Sequence, residues 1–156
     1  NATAATCDAI HAQALAEKTP LVRTQLYSLL AAADDEALAR KALDLALTAE
    51  PGETNSAGMI SAVASRHPDL AFDFATTHRD AIDAKVDNSA RTRFIPSLAK
   101  ASGKPETAEK LKAWAAANLA EGSRKEAEKT ISAIEYRPKV RRERLPAITA
   151  WVAKAG

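Results

Sequence analysis

The sequence predicts an all-α fold, an antiparallel helical-repeat (HEAT/armadillo-like) α-solenoid. Three observations predict it. Apolar residues recur at helical spacing along almost the whole chain. Helix-start and helix-stop signals recur after segments of roughly 10 to 16 residues, which makes about nine or ten helices. No segment reads as a strand, and five glycines in 156 residues leave few positions for a series of hairpin turns.

The composition suits helices packed closely. It is 46% hydrophobic but only 4% aromatic, so the core must be built from Ala, Leu, Ile and Val. Alanine has the best intrinsic helix propensity, and its small side chain lets helix axes approach. At this length a single domain, spanning residues 1–156, can bury a core of its own.

In chain order, Thr19-Pro20 reads as an N-cap followed by proline at the first helical position. Val22, Leu26, Leu29 and Leu30 form the stripe of the helix that follows. Asp34, Asp35 and Glu36 place acids at the positive end of the next helix, whose stripe is Leu38, Ala42, Leu45 and Ala46. Glu50 to Asn55 is a turn, read as solvated, before Met59, Ile60, Val63 and Ala64 resume the period. His67-Pro68 starts a helix with Leu70, Ala71, Phe74 and Ala75 inward. A short piece from Arg79 to Val86 leads to Asn88-Ser89, read as a cap, and then to Phe94, Ile95, Leu98 and Ala99.

Pro105 opens a helix carrying Leu111, Ala115 and Leu119. Ser123 and Glu126 have the spacing of a capping box, ahead of Ala127, Ile131 and Ile134. Pro138 is read as the start of the final segment, with Leu145, Ile148 and Val152 inward and Trp114 and Trp151 packed in the core. Pro96 and Pro146 fall inside helical patterns and should kink or restart them, because each removes a backbone donor.

A search for chemistry finds little. Helical zinc hydrolases set two histidines one turn apart with an acid between them, so that both rings face one metal. Here His11, His67 and His78 are scattered, and Cys7 with His11 supplies only two potential ligands. No nucleophile elbow and no phosphate-cradling glycine loop is present. Cys7 is the single cysteine, so no intrachain disulfide forms. Catalytic and metal-ligating residues are therefore both read as none. No run of about 18 apolar residues marks a membrane span.

Charge is uneven. Residues 122–156 hold nine Lys and Arg against four Asp and Glu, mostly between Arg137 and Arg144. Arg137, Arg141 and Arg144 share a helical face, but no aromatic platform accompanies them, so a solvated face or a contact with another domain is the reading. Neither nucleic acid nor membrane is an expected partner. Met59 is the only methionine, which reads as a piece of a longer polypeptide, with Asn1-Ala2 as a cloning remnant.

Four stretches carry a family resemblance: Arg40 to Thr48, His67 to Ala75, Arg93 to Ala99 followed by Thr107 to Leu111, and Val140 to Trp151. In that order, from about Thr19 to Trp151, they resemble the C-terminal helical domain of the zinc aminopeptidase N and puromycin-sensitive aminopeptidase family. The resemblance implies a non-catalytic bowl of helices that packs on the catalytic domain of the same polypeptide, encloses the substrate chamber and limits peptide access. It implies no cofactor in this chain, zinc in the parent's catalytic domain, and a peptide substrate as the second partner. Glu53, Thr54 and Asn55 fall where the family has a polar helix start near the chamber, and Arg91 and Arg93 fall where a peptide carboxylate would be met. The alternative is a free-standing helical-repeat scaffold that binds another protein on its concave face.

Overall fold

A computed structural model describes residues 3–155; Asn1 and Ala2 lie outside the described residues. Among these residues the chain is all helix and turn: ten α-helices, two short 3-10 turns and no strand. The helices are α1 (Ala4–Ala16), α2 (Pro20–Leu30), α3 (Glu36–Leu47), α4 (Glu53–Arg66), α5 (Pro68–Thr77), α6 (Arg79–Asp83), α7 (Arg91–Leu98), α8 (Pro105–Asn118), α9 (Lys125–Glu143) and α10 (Leu145–Ala155). Sequence neighbours pack together, α1 on α2, α3 on α4, α4 on α5 and α8 on α9. Contacts of α2 with α4, α5 with α7 and α7 with α9 join these pairs into one body.

One continuous core runs through α1 to α9. Its largest fully buried side chains include Tyr27, Leu43, Met59, Ile60, Phe72, Ile82, Ile95, Leu111 and Ile134. Alanines fill the gaps, with Ala14, Ala39, Ala46, Ala71, Ala75 and Ala99 fully buried where helices approach. Each buried large side chain contributes about 1.5–3 kcal/mol of transfer free energy, so this shared interior, more than propensity, holds the short helices in place.

Several helix ends form by the expected chemistry. The Asp35 carboxylate accepts the Leu38 N–H at 2.9 Å and caps α3, with Glu36 in the first turn. Gly52 caps α4 at φ 82°, a left-handed conformation that a side chain would strain. Pro20, Pro68 and Pro105 each open a helix.

Other ends form differently. The Thr19 hydroxyl makes no cap bond; the Glu17 carboxylate takes the Thr19 N–H at 2.7 Å instead. The cap expected at Asn88-Ser89 does not form: Ala90 is the N-cap of α7 and makes no side-chain bond, while the Asp87 carboxylate accepts the Ser89 N–H at 2.8 Å in the turn before it. The capping box at Ser123 does not form. Ser123 ends a 3-10 turn over Glu121–Ser123, and Arg124 becomes the N-cap. The Arg124 side chain reaches back to the carbonyls of Leu119 at 2.9 Å and Ala116 at 3.1 Å, binding the open end of α8.

The prolines divide. Pro96 lies in α7, which ends two residues later and passes into a 3-10 turn at Ala99–Ala101. Pro138 does not begin the final segment: α9 runs through it to Glu143. The neighbouring Arg137 guanidinium donates to the carbonyls of Lys100 and Ser102, and buried Ile134 anchors the preceding turn, so tertiary contacts outweigh the missing donor. The break comes at Arg144, with Pro146 in the first turn of α10.

Expected inward positions at this end are corrected. Leu145, Ile148 and Val152 are each at least half exposed and Trp151 is 69% exposed. α10 continues the end of α9, and among the described residues the core of α1 to α9 does not cover this stripe. Trp114, by contrast, packs against the core, with the Arg79 guanidinium 5.9 Å from its ring centre.

Candidate functional site

The turn between α3 and α4 is a structural junction. Glu50 was expected in solvent, yet its Oε1 is 2.7 Å from His11 Nε2 on α1 and accepts the Tyr27 hydroxyl of α2 at 3.0 Å. Arg23 donates to the Glu50 carbonyl at 2.7 Å and lies over the Tyr27 ring. Burial, and the Glu50 carboxylate, push the Tyr27 phenol up, so it remains protonated and able to donate. One carboxylate thus fastens the turn to two helices. Nothing in the local sequence signals this, because Glu50 is 39 residues from His11 and 23 from Tyr27.

Glu53, Thr54 and Asn55 follow on the first turn of α4. Glu53 and Thr54 are exposed. Asn55 donates to the Pro51 carbonyl at 2.9 Å and accepts the Thr24 hydroxyl at 2.8 Å, which fixes it against α2. Arg91 and Arg93 open α7. Arg91 is half-buried and donates to the Val86 carbonyl at 3.2 Å, whereas Arg93 is exposed. The Ser89 hydroxyl and amide hold Asp87 below the usual carboxylate range, and both arginines add attraction. The two groups do not meet through any hydrogen bond or ion pair among the described residues. Lys85 connects their neighbourhoods by donating to the Thr48 carbonyl at 2.8 Å, which draws the linker before α7 to the turn before α4.

A concavity of about 600 Å³ lies between α3, α5 and the turn before α8. It contains none of these five residues. Arg40, Arg66, His67, Asp69, His78 and Lys104 face it. Its charges are mostly matched: Arg40 with Glu36, Arg66 with Asp34, and Lys104 with Asp69 at 3.1 Å. Burial would raise the Asp69 carboxyl, but the hydroxyls of Ser102 and Thr107, each at 2.6 Å, and Lys104 together hold it below the ordinary aspartate range. Both histidines serve the fold, His67 Nε2 at 2.9 Å from the Ala33 carbonyl and His78 Nδ1 at 2.9 Å from the Phe74 carbonyl.

A zinc ion does not fit the donor set. Among the described residues no three His, Cys, Asp or Glu side chains converge on a common point. Cys7 and His11 line a small cavity of about 180 Å³ with Leu30 and Leu45, and His11 is already engaged by Glu50.

A family model described as the ERAP1-like C-terminal domain matches residues 1–136. No curated protein and no solved structure matches the chain.

Proposed function

The chain belongs to the ERAP1-like C-terminal domain family, and on that premise we propose that it is the non-catalytic C-terminal domain of a zinc aminopeptidase. In this reading it packs on the catalytic domain of the same polypeptide and walls the chamber that limits peptide access. The observation that carries it is the extent of the family match, which runs from α1 through most of α9. Zinc and the hydrolytic groups belong to the catalytic domain in this reading, and no step of hydrolysis is assigned to these helices. The successive helix pairs are read as layers of an antiparallel solenoid.

The N-terminal edge supports the docking half of the proposal. Leu15 of α1 and Leu21, Val22 and Leu29 of α2 are exposed apolar residues at that edge. Contacts between domains of one chain bury roughly 600–1,500 Å². The Thr24–Asn55 hydrogen bond makes the polar start of α4 the immediate neighbour of this edge. Glu53, Thr54 and Asn55 are thereby proposed to line the chamber beside the docked surface, with Arg91 and Arg93 as contacts for a peptide carboxylate.

The test uses the intact enzyme. Arg91→Ala with Arg93→Ala should reduce kcat/KM for longer peptides more than for a single-residue chromogenic amide. Only the longer substrate can extend a carboxylate to a charge-assisted contact. Equal losses on both substrates would mean that these arginines act through docking or stability, and the chamber assignment would fail. For the free-standing scaffold, the discriminating observation is the full gene: a His-Glu-x-x-His motif upstream selects the peptidase.

A further inference from the structure

A cavity of about 300 Å³ opens between α4, the end of α7 with its 3-10 turn, and α9. Ser61, Ser65, Ser97, Lys100 and Arg137 supply its polar wall, and Ala64, Leu98 and Ala101 its apolar floor. Two cations line it and no carboxylate does. The concavity between α3 and α5 differs in this respect, because Arg40, Arg66 and Lys104 there are matched by Glu36, Asp34 and Asp69.

Backbone contacts hold the two cations on one wall. Arg137 Nη1 donates to the carbonyl of Lys100 and, at 2.6 Å, to that of Ser102, which ties the guanidinium to the turn that carries Lys100. Those bonds fasten α9 to the turn, but they use only one nitrogen of the guanidinium. Among the described residues Arg137 Nε and Nη2 find no protein acceptor, and the Lys100 ammonium makes neither a hydrogen bond nor an ion pair. Arg137 is half-buried, so water screens its charge only in part. Two like charges on one wall repel each other; an anion between them offsets that repulsion and gains charge-assisted contacts.

The hydroxyls set the type of anion. Ser61 donates to the Ala57 carbonyl at 3.0 Å, Ser65 to the Ser61 carbonyl at 3.2 Å and Ser97 to the Phe94 carbonyl at 2.7 Å. Inside a helix such carbonyls also accept a backbone N–H, so each hydroxyl can turn outward without leaving its former acceptor empty. Three hydroxyls, an ammonium and the free edge of a guanidinium offer more donors than the roughly four lone-pair sites of a carboxylate can accept. A phosphate group, with three terminal oxygens and a charge of about −2, matches them better. We propose that this cavity binds the phosphate group of a small phosphomonoester. Lys100 and Arg137 match its charge, Ser61, Ser65 and Ser97 donate to its oxygens, and the organic part lies on Ala64, Leu98 and Ala101. This inference is independent of the peptidase reading.

Isothermal titration calorimetry of the 156-residue chain at low salt and mildly alkaline pH tests it, with phenyl phosphate, inorganic phosphate and benzoate as probes. Phenyl phosphate is expected to bind at one site, roughly threefold or more tighter than inorganic phosphate and roughly tenfold or more tighter than benzoate. Lys100→Ala, and separately Ser65→Ala with Ser97→Ala, should each weaken phenyl phosphate by roughly tenfold. All three positions are exposed, and circular dichroism checks that each variant is folded. Arg137 is left in place because it also fastens α9. The absence of saturable binding up to about 10 mM, or an affinity indifferent to either variant, overturns the proposal. Benzoate binding as tightly as phenyl phosphate would overturn the phosphate assignment. Inorganic phosphate binding as tightly would make the free ion the occupant and overturn the ester.

Discussion

Helices α5 and α10 carry the same kind of sequence and meet opposite fates. Leu70, Ala71, Phe74 and Ala75 on α5 and Leu145, Ile148 and Val152 on α10 are apolar stripes at helical spacing, each in a helix of ten or eleven residues. On α5, Ala71, Phe74 and Ala75 are buried and Leu70 packs partly against the core, because α4 and α7 both pack against this helix. The α10 stripe is more than half exposed or nearly so throughout, because that helix continues the end of α9 beyond the body. An amphipathic stripe therefore states a demand for a partner; the arrangement of the other helices decides whether the chain itself meets it.

Truncations on the two helices should separate these states most widely. Phe72→Ala empties a fully enclosed site in α5 and is expected to lower unfolding free energy by about 3–5 kcal/mol. Ile148→Ala on α10, at an exposed position, should change it by less than about 0.5 kcal/mol. Urea denaturation of both variants measures the difference, and comparable losses would mean that α10 is buried within the monomer.

A smaller contrast lies between two glutamates only three residues apart. Glu50→Ala strips the Tyr27 hydroxyl and His11 of their shared acceptor and should destabilise by about 1–3 kcal/mol. Glu53→Ala removes only a favourable charge from the first turn of α4, worth about 0.3–1 kcal/mol at low salt. If thermal denaturation finds the two equal, the Glu50 junction does not fasten α1 and α2 as described.

The smallest effect is a pH dependence at the start of α5. Asp69 has a folded-state pKa below its ordinary value, so its stabilisation is present above the unfolded pKa of about 3.9 and is lost as pH falls through the lowered folded value. Asp69→Asn should therefore be less stable than the parent near neutral pH, with the gap closing under acid. A gap that stays constant from pH 7 to pH 2 would show that the hydroxyls of Ser102 and Thr107 and the ammonium of Lys104 do not favour the charged form.

The candidate site was legible only in part. Asp35, Gly52 and Pro68 announce their helix ends because capping is a local chemistry between near neighbours. The same local logic misplaces the capping box at Ser123, where Arg124 finds carbonyl acceptors on the preceding helix. The polar start of α4 is visible at Glu53 to Asn55, but its attachment to Thr24 is not, since the two strands of chain lie 31 residues apart. Arg91 and Arg93 look alike in sequence; only the folded linker engages one with the Val86 carbonyl and leaves the other exposed.

By itself the sequence determined that this chain is helical, approximately where its helices start, and which residues in most of them face inward. Those properties follow from periodicity and from bonds spanning about four residues. Tertiary structure alone decided that α9 passes through Pro138, that Glu50 joins three segments, and that the α10 stripe stays uncovered. Each depends on which groups from distant parts of the chain come within hydrogen-bonding or packing distance. A periodic pattern shows that a side chain needs an apolar or polar partner; the long-range arrangement of the helices supplies that partner or withholds it.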